Sequence, residues 1–293
     1  MMMTKLFAFA LTLAVGPLVV SGCKDRSAPP QPPEQNPKVT SADGVAISYD
    51  LQGRGAPALV FVHGWCCDRT YWRQQIPHFA KSHKVVAIDL GGHGDSGLNR
   101  DDWTIEAFGQ DVAAVVEALD LRPVILIGHS MGGPVNLVAA RYLPGRVKGL
   151  IGVDTHHDID AEYNEFDTNG FVAALKADFA GVAGNSVRGM FVAGADADLV
   201  EQVIADMSSA SPDVGAGAMK AFLTFNRAKA LENLNLPIRC INSDRVSTDV
   251  TTARKHIKSF ELKIMKGCGH FPMLEAPEEF NKLLAETIEE LEK

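Results

Sequence analysis

Ser130 stands in the run Gly128-His129-Ser130-Met131-Gly132. The apolar stretch Val124-Ile125-Leu126-Ile127 precedes it, and Gly133-Pro134-Val135-Asn136-Leu137-Val138-Ala139-Ala140 follows. A buried strand, a sharp turn and a helix start in that order lift a serine hydroxyl out of a sheet. Glycines on either side let the backbone pass through a strained turn without a Cβ clash. A hydroxyl is a poor nucleophile until a positioned base takes its proton as it attacks. His270, in Gly267-Cys268-Gly269-His270-Phe271, is the candidate base, because imidazole can accept that proton and later return it to a leaving group.

The elements that must hold these groups read as an α/β domain. Val45, Ile47, Tyr49 and Leu51 alternate as in an outer strand. Ala58–Val62, Val85–Ile88, Val124–Ile127 and Gly149–Val153 are short apolar runs typical of buried parallel strands. Helical stretches lie between them over Arg69–Phe79 and over Ile105–Leu119, the latter with Thr104 as its cap. Such alternation implies a mostly parallel sheet covered on both faces, with all strand C-terminal ends on one ligand-binding edge. From about residue 158 to 233 helical periodicity takes over (Phe171, Leu175, Phe179, Phe191, Met207, Met219, Phe222, Phe225), which predicts an inserted helical cap. The strand pattern returns at Ile238–Ile241 and Glu261–Met265, and a final amphipathic helix runs from Pro277 to Leu291.

Four motifs in order carry a family likeness: His63-Gly64-Trp65, Asp89-Leu90-Gly91-Gly92-His93-Gly94-Asp95-Ser96, the Ser130 turn, and the His270 loop with Glu275 and Pro277. From about Val39 to Lys293 the chain resembles an α/β-hydrolase of the lipase/esterase and haloperoxidase-like type. The resemblance implies a serine hydrolase, carboxylesterase-like, that works through an acyl-enzyme on a small ester or similar acyl substrate. It implies Ser130 as nucleophile, His270 as base, and the backbone N–H groups of Trp65 and Met131 as oxyanion donors. It implies no cofactor and no metal. His63, His93 and His129 belong to its motifs, where they shape loops through hydrogen bonds.

The third member of the triad departs from the family pattern. Most relatives carry the acid in a Gly-x-x-Asp stretch after the strand that corresponds to Ile238–Ile241, whereas this chain reads Asn242-Ser243-Asp244-Arg245-Val246-Ser247-Thr248-Asp249. Some members place it at the end of the strand after the nucleophile helix, and Asp154 ends that strand here. Asp154 is therefore the expected acid, with Asp244 and then Asp249 as alternatives. His156-His157-Asp158 could suggest a metal site, but adjacent loop histidines seldom converge on one ion without further ligands, and a solvated cap entrance is the expectation.

Outside the domain, Lys5 and the apolar run from Leu6 to Val20 read as an export signal over residues 1–22. Val20-Ser21-Gly22-Cys23 resembles a bacterial lipobox, which would make Cys23 the acylated (palmitate-bearing) first residue of a lipoprotein. Residues 23–38 are Pro-rich and suit an extended tether. The expected location is the cell envelope, held to the outer membrane by the lipid alone, since Lys24 rather than an aspartate follows Cys23. The remaining cysteines, Cys66, Cys67, Cys240 and Cys268, spell no disulfide framework or zinc spacing and are expected as free thiols. A net charge of −8 without a basic stripe argues against a nucleic-acid partner. Gly91-Gly92-His93-Gly94 lacks the spacing of a dinucleotide fingerprint. Carbon–carbon bond hydrolysis, amide hydrolysis, perhydrolysis on the same triad, and ligand binding without turnover stay open. Oligomeric state and natural substrate are not readable.

Overall fold

Apolar runs that carry no alternation can be buried on both faces, and they become the centre of the sheet. The structure, a computed structural model, describes residues 37–293; the export signal, Cys23 and most of the tether lie outside the described residues. The strands are β1 (Lys38–Thr40), β2 (Ala46–Gly53), β3 (Ala58–Val62), β4 (Lys84–Ile88), β5 (Val124–His129), β6 (Val147–Val153), β7 (Ile238–Ser243) and β8 (Phe260–Met265). They form one sheet in the order β1-β2-β4-β3-β5-β6-β7-β8. The pairings β1/β2 and β2/β4 are antiparallel, and those from β4 to β8 are parallel. Every residue of β3 and β5 is buried. Lys38, read as the last tether residue, is already the first residue of β1.

Two expectations need correction. Leu51 is 44% exposed, although its alternation with Tyr49 placed it on the inner face. β1 pairs with β2 only as far as Ser48, so beyond that point no strand among the described residues covers this edge of β2. The stretch Arg69–Phe79 is a 3-10 turn, Arg69–Trp72, followed by a short helix α1 (Ile76–Phe79). Pro77 explains the break, because it has no N–H to bond the carbonyl four residues earlier.

The helices α2 (Ile105–Ala118) and α3 (Gly132–Tyr142) pack against one another beside the sheet. Thr104 Oγ1 accepts from the Ala107 N–H at 3.1 Å and so caps α2. The cap region contains α4 (Glu165–Ala177), α5 (Phe179–Arg188), α6 (Ala197–Ser208), α7 (Pro212–Thr224) and α8 (Arg227–Leu231). It buries Leu175, Phe179, Met207 and Met219. Trp65 ties it to the sheet, because its indole N–H donates to the Gly215 carbonyl at 2.7 Å and its ring lies 6.0 Å from that of Phe179. Then follow α9 (Val250–His256), α10 (Pro272–Glu275) and α11 (Pro277–Glu292). No helix among the described residues is long and apolar enough to cross a membrane. Cys66, Cys67, Cys240 and Cys268 are free and buried.

The turn between β5 and α3 leaves no room for side chains at its glycines. A Cβ on Gly128 would lie 2.3 Å from the Gly132 carbonyl oxygen, and one on Gly132 would lie 2.6 Å from that of Val62. Both obstacles are backbone, so neither can yield cheaply. Gly170, in the middle of α4, has open space around the same position. Gly128→Ala is therefore expected to lower stability in urea unfolding by about 2 kcal/mol or more. Gly170→Ala should leave stability equal or raise it by about 0.5–1 kcal/mol. Equal effects at the two sites would contradict this account of the turn.

Candidate active site

Ser130 holds a left-handed backbone, φ 51°, which a residue with a side chain adopts only when its surroundings enforce it. Here the Ser130 N–H donates to the Val153 carbonyl at 2.9 Å, and the Ser130 carbonyl accepts from Gly133 N–H at 3.0 Å. The side chain stands between the end of β5 and the start of α3, lining a cavity of about 370 Å³. Trp65 and Met131 line the same cavity. Their backbone N–H groups make no hydrogen bond among the described residues, so both remain available to an oxygen placed beside Ser130.

Asp154 follows β6 directly, at φ 44°, and its carboxylate is fully buried. Oδ1 accepts 2.8 Å hydrogen bonds from both the N–H and the hydroxyl of Ser243, reaching across from β7. Oδ2 lies 2.5 Å from His270 Nδ1, and His157 Nε2 stands 3.6 Å from Oδ1. Burial alone would raise the Asp154 pKa, but the facing His157 and His270 rings outweigh it and hold the carboxyl well below the usual range. The two alternative carboxylates point elsewhere. Asp244 Oδ1 accepts from Gly267 N–H at 2.9 Å, while Asp249 caps α9 by accepting from Thr252 N–H at 3.0 Å. The structure thus brings Asp154, not Asp244 or Asp249, to His270.

The His270 loop is fixed from three sides. Its N–H donates to the Met190 carbonyl of the cap at 2.9 Å. The Glu275 carboxylate accepts from the N–H groups of both flanking residues, Gly269 at 2.8 Å and Phe271 at 2.9 Å. The His270 carbonyl accepts from His129 Nε2 at 2.7 Å. Burial, reinforced by His270, pushes His129 down to about 3, so His129 stays neutral and serves as a donor. His270 and Ser130 line the same cavity, without a direct hydrogen bond between them among the described residues. Nucleophile–base contacts of this kind often tighten only when substrate is bound.

His63 orders the Trp65 loop. Its Nε2 accepts from Leu90 N–H at 3.0 Å, which leaves Nδ1–H to donate to the Gly64 carbonyl at 2.8 Å. Asp89, in the next loop, accepts from the Asp95 N–H at 2.8 Å and pairs with Arg69. The solvated entrance expected at His156-His157-Asp158 is corrected at His156, which is buried and lines the cavity, whereas His157 is half-buried and Asp158 exposed. Burial pushes His156 down to about 3. Its positive φ of 55° turns the chain inward, a bend that polar composition does not announce. Sequence reasoning also missed Ser243 as support for the acid and Arg227 as part of the cavity wall. Ser243 lies in a stretch whose own residues carry no sign of that role, and Arg227 is one of two arginines in the cap, with no motif around it. Among the described residues no cluster of three His, Cys, Asp or Glu is arranged to hold a metal ion.

Arranged in this way, the cavity can hold a carbonyl carbon against Ser130, its oxygen against two N–H groups, and a base backed by a buried carboxylate. Known proteins resemble this chain in sequence and in fold. Residues 57–277 match the alpha/beta hydrolase fold. A non-heme haloperoxidase of Rhodococcus erythropolis is 28% identical over 256 residues, covering 80% of this chain and 92% of that protein. A bifunctional esterase/perhydrolase of Acinetobacter calcoaceticus is 42% identical over 107 residues, 36% of this chain and 39% of that protein. The chain matches between 28% and 41% of the length of the first curated relatives. A thermophilic esterase from Thermogutta terrifontis superposes with a TM-score of 0.78 at 22% identity, over 89% of this chain and all of that one, which is a likeness of fold.

The depressed Asp154 pKa has a defined signature in stability. Its ionic bonds contribute fully above the ordinary unfolded carboxylate value near 4, and the contribution is lost as pH falls from there toward the folded value. Urea unfolding of the native protein and Asp154→Asn should therefore show a stability gap that is constant from about pH 7 to 5 and shrinks below about pH 4. A gap independent of pH throughout would show that Asp154 is not held ionised.

Proposed function

The chain belongs to the alpha/beta hydrolase fold family, and from that premise we propose that it is a serine hydrolase that cleaves small carboxylic esters through an acyl-enzyme. The observation that carries this reading is the 2.5 Å contact between the buried Asp154 carboxylate and His270 Nδ1, in the cavity that Ser130 also lines. Asp154 fixes the His270 tautomer, with Nδ1–H donating to the carboxylate and Nε2 left to act as base. Ser130 Oγ forms a bond to the ester carbon as His270 takes its proton. Negative charge then develops on the carbonyl oxygen, where the Trp65 and Met131 N–H groups receive it. Such donors are typically worth about 3 kcal/mol each in the transition state. Collapse breaks the carbon–oxygen bond, and His270 returns the proton to the departing alcohol. Water repeats the sequence with His270 as base, releasing the carboxylic acid and restoring Ser130.

A second reading uses the same steps with hydrogen peroxide in place of water, which would release a peracid. The Acinetobacter calcoaceticus relative, described as a bifunctional esterase/perhydrolase, favours keeping it. Peracid formation from an ester in added peroxide separates the two outcomes.

Ester turnover by Ser130→Ala and Asp154→Asn should fall by about 10⁴-fold or more, whereas Asp244→Asn should keep activity within about threefold, as expected of a surface substitution. If Asp244→Asn is the crippled variant, Asp154 is not the acid. If none of the three changes turnover, the Ser130 mechanism fails; if the native protein turns over no ester, the hydrolytic reading fails and ligand binding without turnover takes its place.

We propose also that Cys23 is acylated and holds the enzyme at the outer membrane, a reading supported by Val20-Ser21-Gly22-Cys23 and the Pro-rich stretch after it. Metabolic labelling with radioactive palmitate should mark the native protein and not Cys23→Ser. Equal labelling of both, or of neither, would overturn the anchor.

A further inference from the structure

Arg227 opens α8 and is only 5% exposed. Its guanidinium lies over the Phe222 ring at 4.7 Å and the Tyr163 ring at 5.9 Å. One hydrogen bond, Nη1 to the Phe225 carbonyl at 3.4 Å, uses one of its five N–H groups. The other sequestered guanidiniums are provided for differently. Arg69 pairs with Asp50, Asp89 and Asp95, and Arg100 with Asp43 and Asp111. Arg227 has no ion pair among the described residues. A buried charge left unpaired costs several kcal/mol, more than aromatic faces return.

This cation faces the chemistry. Arg227 lines the cavity that holds Ser130 and His270. The field of Arg227 helps to push its neighbour His156 down, so His156 adds no competing charge. His156 Nε2 in turn stands about 3.0 Å from where a Cβ on Gly133 would lie, three residues past Ser130. Neither acid of the cavity satisfies the guanidinium. Asp154 is committed to Ser243 and His270. Asp158, exposed and accepting from the Asp160 N–H at 3.0 Å, is near enough to act on the guanidinium electrostatically but forms no hydrogen bond or close ion pair with it. Arg227 also borders an outer cleft with Asp160, Glu162 and Glu165, none of which forms an ion pair with it. Arg245 adds a second, exposed guanidinium to the cavity wall. The wall also carries the apolar side chains of Met190, Met207, Met219 and Phe222.

We propose that the cavity is shaped for an ester whose acyl chain ends in a carboxylate, and that Arg227 is the residue that selects it. The chain lies along the methionines and Phe222. The terminal carboxylate accepts the parallel N–H pair of the guanidinium, a geometry for which arginine is suited and lysine is not. This identification of substrate class rests on the esterase reading above, whereas anion binding by Arg227 does not.

The test uses two esters with the same six-carbon acyl chain, p-nitrophenyl hexanoate and mono-p-nitrophenyl adipate, which differ in the terminal carboxylate. The native protein should prefer the adipate ester in kcat/KM. Arg227→Met should lower the adipate-to-hexanoate ratio about 30-fold, with Arg227→Lys in between, as expected for loss of charge-assisted hydrogen bonds. Calorimetry gives a readout free of turnover: Ser130→Ala should bind adipate, and adding Arg227→Met should abolish that binding. A ratio within about threefold of the native value in Arg227→Met, or undiminished adipate binding, overturns the proposal. Adipate binding that depends on Arg227 in a protein that turns over neither ester upholds anion binding by Arg227 while removing the esterase reading and, with it, the ester as substrate. Should Arg227→Met fail to fold in thermal melts, Arg227→Lys carries both readouts, with weakened adipate binding and a reduced ratio expected.

Discussion

A carboxylate kept ionised where water is excluded, with one oxygen turned to an imidazole, is the constraint on which the rest of the site depends. Asp154 meets it by accepting two hydrogen bonds from Ser243 on one oxygen and facing His270 on the other. Without such partners a buried carboxylate would take up a proton and lose its hold on the ring. The partners come from different parts of the chain. Asp154 follows β6, Ser243 ends β7, and His270 sits in the loop after β8. Parallel pairing of β6, β7 and β8 sets their C-terminal ends side by side, and the backbone bond from Asp154 N–H to the Ile241 carbonyl fixes the register. A slip along that ladder would carry Ser243 away from the carboxylate.

The cap and the sheet share the burden of placing His270. Met190, from the cap, holds its N–H, while Glu275 and His129, from the sheet side, hold its neighbours and its carbonyl. Phe191 stacks on Phe271 with ring centroids 5.1 Å apart, so apolar contact reinforces the same join. The cap therefore does more than cover the cavity: a change in its seat would be felt at the imidazole. Trp65 works in the same way from another wall, lining the cavity while its indole is fastened to α7. This coupling of wall to site is how a hydrolase can vary its cap to change substrate and still keep its reactive geometry.

Much of this was legible in the residues. Continuous apolar runs gave β3 to β6, because burial on both faces leaves no room for polar alternation. Gly128 and Gly132 marked the Ser130 turn, because backbone lies where their Cβ atoms would be. Asp154 could be placed at the end of β6 because a charged residue directly after an apolar strand must leave the sheet at its edge. What stayed hidden depends on contacts between distant segments. Ser243 supports Asp154 only through the β6/β7 register, which its own stretch does not encode. The burial of His156 follows from a backbone turn at positive φ, and that of Arg227 from the seat of α8, neither of which a polar residue type reveals. Leu51 was misplaced because alternation reports the face of a strand and not whether a neighbour covers it.

On the proposed mechanism, Asp154 and His270 make the Ser130 hydroxyl reactive. Intact-mass kinetics with a fluorophosphonate, followed by peptide mapping, measures that reactivity without assuming any substrate. One phosphonyl group should attach to each chain, at Ser130, and His270→Ala should slow the attachment by orders of magnitude. Label on another residue, no label on folded protein, or a rate indifferent to His270 would contradict the account.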